Sequence, residues 1–289
     1  MIRSFFRRLW HLITIPFRWI TKPFQKLRDF LNYEPEDTPI ADVFSRTIEE
    51  PSILIDHLEA LRRHLLRAIT ALILAVLLST LFAKQALDWL AVPIDGIDQL
   101  QAIEVTESIG VFMRVSLLTG FVIALPYIGI EIFAFLNPGL RRRERILLLT
   151  AIPAATILFL LGIAFTYFIL LEPAIDFLLH FMDISAAIRP ANYIQFVTGL
   201  MFWIGVAFQF PLIIYTLAGL GFVNAKALLR GWRFAILGIA ILAAAVTPTI
   251  DPVNMGLVML PMIVLYFISI GLAAIAGRDR MKKTHSDPP

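Results

Sequence analysis

The stretch from Ile146 to Leu171 constrains this chain more than any other feature: 26 residues without an Asp, Glu, Lys or Arg, nearly all of them apolar. A helix needs about 20 such residues to cross the hydrocarbon core of a bilayer. Five more segments follow the same pattern. Ala68 to Ala83 lies uncharged between Arg67 and Lys84, and a second segment runs from about Val111 to Phe135, with Arg114 and Glu131 near its ends. Ile194 to Leu217 sits inside the uncharged block from Pro190 to Ala225; Phe234 to Val246 is short, and Met255 to about Ala274 closes the set.

Short apolar runs are often buried helices of soluble proteins. Here they alternate with long ones in a chain that is 58% hydrophobic and 16% charged, with mean hydropathy +0.79. Soluble domains carry about 25% charged residues. The expectation is an all-α integral membrane protein with six transmembrane helices. Pro126, Pro153, Pro211 and Pro261 fall inside the spans, so the helices are expected to be kinked and to leave concave surfaces.

Charge placement orients the bundle. With six spans, both termini share a side with the loops around Arg141–Arg145 and Lys226–Arg233, and that side holds every Lys and Arg except Lys84, Arg114 and Arg189. Acids such as Asp88, Asp95, Asp98, Glu104 and Glu107 gather on the opposite side. Lys and Arg stay on the cytoplasmic side of membrane proteins, so both termini are expected there.

Residues 1–30 mix Arg3, Arg7, Arg8 and Arg18 with Phe5, Phe6, Trp10, Phe17 and Trp19, as an amphipathic segment lying on anionic lipid would. Residues 31–51 turn acidic and proline-bearing and read as a linker. Residues 52–276 hold the membrane domain, and 277–289 form a basic cytoplasmic tail. The chain has no cysteine and no phosphate-binding loop, nucleophile elbow or zinc-protease motif, so no cofactor, metal, nucleic-acid partner or enzymatic activity is expected. His57 and His64 lie two turns apart on one helix and read as a surface face.

Three charged clusters need a reason. In Asp56–His64, Glu59 reaches Arg62 and Arg63 at helical spacing, as an ordinary intrahelical ion pair would. Asn137-Pro138-Gly139-Leu140-Arg141-Arg142-Arg143-Glu144-Arg145 forms a tight turn, and orientation alone would account for its arginines. Arg114, Glu131 and Gln209 lie within spans, where a charge at the bilayer centre costs about 2.5–3.5 kcal/mol. Arg114 and Glu131 sit near opposite ends of one helix and are expected to snorkel. Gln209, mid-span beside Pro211, is placed to bond another helix.

Taken in order, HLEALRRHLL at 57–66, TESIGVFMR at 106–114, FAFLNPGLRRRER at 133–145, GIAFTYF at 162–168, FQFP at 208–211 and TPTIDPVNMGLVMLP at 247–261 resemble the TatC family, the polytopic receptor of the twin-arginine protein translocase. The resemblance covers roughly residues 52–276. It implies a receptor at the plasma membrane of a bacterium or archaeon that binds twin-arginine signal peptides and recruits single-span TatA/TatB-type subunits into a hetero-oligomer embedded in membrane lipids. Folded proteins are then exported at the expense of the proton motive force. The family's signal-binding carboxylates fall on Glu59 and Glu144, with Phe135 and Pro138 in the first cytoplasmic turn and Arg62 at the basic position before the first span. Asp251 matches the acid of the outer turn. Gln209 stands where the family commonly has a glutamate and is the candidate contact for a partner subunit. Leu265-Tyr266-Phe267 also stands where a glutamate is often seen. A proton- or ion-coupled small-solute transporter using Glu131, Arg114 or Asp251 is the rival reading, and a membrane scaffold the third.

Overall fold

The computed structural model describes residues 51–140, 142–180, 187–247 and 251–284. The amino-terminal segment, the linker before Pro51, Arg141, part of the Thr247–Pro252 turn and the last five residues lie outside them. Ten α-helices and no strand occur among the described residues: α1 (Pro51–Ser79), α2 (Ala83–Leu90), α3 (Glu107–Leu136), α4 (Arg142–Phe165), α5 (Leu171–His180), α6 (Pro190–Ala207), α7 (Phe210–Leu220), α8 (Ala225–Arg230), α9 (Trp232–Val246) and α10 (Pro252–Thr284). Five stretches are long and apolar enough to cross a membrane: Ile55–Ile94, Glu107–Leu136, Glu144–Leu179, Pro190–Leu220 and Pro252–Gly277. The shorter α9 makes the sixth apolar helix. At about 1.5 Å per residue it spans roughly 22 Å, less than the ~30 Å hydrocarbon thickness.

Helix α1 begins at Pro51, in the opening turn that proline tolerates, and the first span extends well beyond its uncharged run. The third runs through α4 and α5 with a π-helical turn at Thr166–Leu170 between them, where the Thr166 hydroxyl donates to the Gly162 carbonyl at 2.9 Å. The fourth is two helices. Pro211 has no N–H to offer the carbonyl four residues back and its ring crowds that carbonyl, so α6 stops at Ala207 and α7 restarts at Phe210.

Helix α6 is the centre of the bundle. Ile194, Val197, Leu200, Met201 and Ile204 are buried in one core with Val111 and Val115 of α3, Leu171 of α5 and Val258 of α10. Helix α3 packs between α1 and the pair α4 and α6, while α7 and α9 pack on α10. In a bilayer, apolar area gives no preference for protein over lipid, so close backbone approach and hydrogen bonds must hold helices together. Two glycines provide that approach where α4 meets α6. A Cβ on Gly162 would lie 2.8 Å from the Gly205 Cα, and one on Gly205 would lie 2.7 Å from the Phe159 ring. The sequence shows no G-x-x-x-G because the two glycines come from different helices.

The acidic end is fastened by polar side chains. Tyr193 donates to the Leu90 carbonyl at 2.7 Å, and Tyr167 donates to the Trp89 carbonyl at 2.8 Å while stacking on the Trp89 ring. Arg189 donates to Glu107 from both Nε and an Nη, and to Glu104 at 3.0 Å. The hydrogen bond to Glu107, and then that to Glu104, raise the guanidinium pKa above its usual value against a smaller opposing effect of burial. Asp251 accepts from the Asn254 backbone N–H at 2.7 Å and from its side chain at 3.0 Å, capping α10.

Leucine at either crossing glycine is expected to force the helices apart. Gly162→Leu and Gly205→Leu should each cost about 1–3 kcal/mol and lower the unfolding midpoint in detergent. Gly238→Leu, where a Cβ meets nothing within 4 Å, should leave it unchanged.

Candidate functional site

The end of the bundle that carries the arginine-rich turn is built on the antiparallel pair α1 and α3. Small residues line the facing sides: Ala68, Ala71 and Ala75 on α1, Ser116, Gly120 and Ala124 on α3. A Cβ on Gly120 would lie 2.6 Å from the Val76 backbone, and the Ser79 hydroxyl donates to the Ser116 carbonyl at 2.6 Å. The register set at the acidic end continues to the basic end, where it brings His64 opposite Glu131 and His57 opposite Phe135.

There the polar contacts concentrate. His64 Nδ1 lies 2.6 Å from Glu131 Oε2, with the carboxylate 9% exposed and the imidazole 20% exposed. Tyr127, one turn earlier, and Arg67 lie close enough to act on the same carboxylate. The His57 ring sits 4.6 Å from the Phe135 ring, and the His64 ring meets it edge-on at 6.3 Å. Phe135 is thus held by two imidazoles, one of them anchored to the helix that carries Phe135 itself.

After Leu136 the chain turns through a short 3-10 turn, Asn137–Gly139, in which Asn137 is buried and Pro138 is exposed. Helix α4 then starts with Glu144 in its first turn, where a carboxylate is favoured by the N-terminal end of the helix dipole. Glu144 is half-buried, and its neighbour Arg145 is only 2% exposed, directed into the protein. The arginines of this turn are therefore not one solvated cluster, since at least Arg145 belongs to the interior.

The candidate residues divide accordingly. Phe135, Pro138 and Glu144 share the α3–α4 turn, braced by α1. Glu59 and Arg62 are exposed on the side of α1 that turns away from α3. Glu59 pairs with Arg63 at 3.3 Å; among the described residues no ion pair joins it to Arg62. Gln209 lies at the break between α6 and α7, where its amide nitrogen donates to the Ala155 carbonyl of α4 at 3.1 Å and to Gly205 at 3.4 Å. The amide group is thus already tied within the chain through its nitrogen. Asp251 stands at the opposite end as a helix cap. Tyr266, at the other glutamate-poor position, donates to the Leu228 carbonyl at 2.7 Å and fastens α8 to α10.

One expectation is corrected: Glu131 does not snorkel, because it is buried and bonded to His64. His57 is exposed, as a surface face requires, while His64 is part-buried, and both rings pack on Phe135. Their seven-residue spacing places them on the same side of α1 as Ala60, Ala68, Ala71 and Ala75, and that pattern was the available signal. Arg114 is exposed near the acidic end, as expected. No group of three metal-ligating side chains occurs among the described residues.

The family profile described as Sec-independent protein translocase protein (TatC) matches residues 56–261. Among curated relatives, the Sec-independent protein translocase protein TatC of Synechocystis sp. is 33% identical over 252 residues, covering 86% of this chain and 94% of the relative. The chloroplastic TATC of Arabidopsis thaliana is 32% identical over 229 residues, covering 78% and 67%. A crystal structure of a twin arginine translocase receptor, TatC, superposes with a TM-score of 0.68 at 30% identity, covering 76% of this chain and 99% of that one.

If the His64–Glu131 bond holds α1 to α3, removing either partner strands the other. His64→Ala and Glu131→Leu should each destabilise by about 1.5–3 kcal/mol, the range for a hydrogen bond to a charged group. The double variant should cost clearly less than the two losses added. Strict additivity in detergent unfolding would show that the two side chains act independently.

Proposed function

Since the chain belongs to the TatC family, a multi-pass membrane component of the Sec-independent translocase, we propose that it is the receptor that binds twin-arginine signal peptides. The observation that carries this is the α3–α4 turn, which has an aromatic ring packed on two histidines at the end of α3 and a half-buried carboxylate in the first turn of α4. Two adjacent guanidinium groups are recognised best by fixed carboxylates, because Arg–carboxylate bonds are charge-assisted and can be bidentate. Glu144 is such a group, and Phe135 offers a face on which a guanidinium or an apolar signal residue can rest. Glu59 supplies a second carboxylate from the exposed side of α1, where it also meets Arg63; Arg62 and Pro138 frame the approach.

The site must open to the compartment where the signal peptide is still hydrated. The positive-inside rule puts the arginine-rich end, and with it both termini, in the cytoplasm. The apolar part of a signal peptide then lies against the exposed apolar flank of α1, where Leu58, Leu65, Leu74 and Leu77 face outward. Single-span TatA/TatB-type subunits pack within the bilayer, and the Gln209 oxygen at the α6–α7 break is the acceptor they would meet. The proton motive force drives transport, and no step on this chain is catalytic. A small-solute transporter draws no support from these relatives, and Glu131, the acid it would use, is engaged by His64.

The test is cross-linking of a photoreactive twin-arginine signal peptide to the chain in membranes. Glu144→Ala and Phe135→Ala should each lower the yield about tenfold, the loss of one charge-assisted contact or its equivalent, with Glu59→Ala falling less. Size-exclusion profiles in detergent should stay unchanged. Full cross-linking in both the Glu144→Ala and Glu59→Ala variants would overturn the assignment.

A further inference from the structure

Away from the proposed signal site, the basic end holds a second group of cations that the receptor function does not use. Arg230, at the end of α8, and Arg233, in the first turn of α9, line one open cavity of about 560 Å³ with Leu229, Trp232, Phe234 and Leu237. The Arg233 guanidinium lies 5.7 Å from the centre of the Trp232 ring. Among the described residues neither arginine makes an ion pair. The local sequence offers none, since no Asp or Glu occurs between Asp183 and Asp251.

The cavity continues into an apolar track. Phe234 is 81% exposed, and Leu237 and Ile241 follow it on the same side of α9, both exposed. Their spacing of three and four residues makes one stripe running from the arginines toward the middle of the bilayer. A ligand that satisfies both parts carries an anion at one end and an apolar chain at the other. Trp232 stands where they meet, as tryptophan does at membrane interfaces.

We propose that Arg230, Trp232 and Arg233 form a binding site for an anionic phospholipid, with the phosphate between the two guanidinium groups and an acyl chain along Phe234, Leu237 and Ile241. Charge complementarity selects this occupant. Arg forks match phosphate oxygens, and the leaflet on the basic side is the anionic one. A zwitterionic lipid offers the phosphate but adds a cation that two unneutralised arginines disfavour. Short α9 supports the same assignment, because a helix of roughly 22 Å leaves lipid headgroups drawn toward its end.

Native mass spectrometry of the detergent-purified full chain tests this, with phosphatidylglycerol and phosphatidylcholine as probes. Phosphatidylglycerol adducts should persist on the unchanged chain and fall at least tenfold in the double variant R230Q/R233Q, one charge-assisted contact or more. Phosphatidylcholine adducts should be few and equal in both. Equal phosphatidylglycerol retention in both chains overturns the proposal. So does displacement of the lipid by inorganic phosphate at equal concentration, which would make this a free-anion site. A double variant that keeps its lipid but loses a co-purifying single-span subunit overturns it as well, assigning the face to a protein. Phe234→Ser, which leaves both arginines, should lower phosphatidylglycerol retention without touching signal-peptide cross-linking.

Discussion

A bilayer supplies no hydrogen-bond partners, so each polar group that enters it must find one within the protein. That constraint explains most of the side-chain bonds described above. Tyr193, Tyr167 and Tyr266 each donate to a carbonyl of another segment, Gln209 bridges the broken fourth span to α4, and the Ser79 hydroxyl reaches across to α3. Each of these contacts satisfies a donor and also fixes one helix against another. In a chain this apolar they are what distinguishes one packing from the many that lipid would tolerate equally well.

The pair formed by α1 and α3 shows how the constraint reaches the function. Small residues let the backbones approach, Gly120 against Val76 being the tightest point, and the register so fixed delivers His64 to Glu131. The buried carboxylate then has a partner, and the histidines pack on the Phe135 ring near the end of α3. Most of α1 otherwise remains exposed along its apolar flank. An edge helix with one well-defined polar joint and an open side is suited to receiving a peptide laid along it.

Much of this was legible in the residues. The uncharged runs gave the six spans, and the ordered motifs placed the chain in its family. Other features depend on partners distant in sequence. Glu131 and His64 are 67 positions apart, and nothing local to either reports the other. Gly162 and Gly205 make a close crossing that no single-helix motif reveals. The fourth span reads as one uncharged block, yet Pro211 divides it and turns Gln209 from a mid-helix amide into a bridge at a break. Glu59, which helical spacing tied to both arginines, keeps only Arg63 because the side chain at i+4 lies closer in line along the helix.

The central claim is that this protein distinguishes a pair of guanidinium groups from a pair of ammonium groups. The most direct measurement is the affinity of the purified chain, in lipid nanodiscs, for a signal peptide carrying Arg-Arg and for the same peptide carrying Lys-Lys. Planar forks on fixed carboxylates predict at least about tenfold weaker binding for Lys-Lys. Equal affinity would mean that the basic end reads charge alone, and would contradict the account.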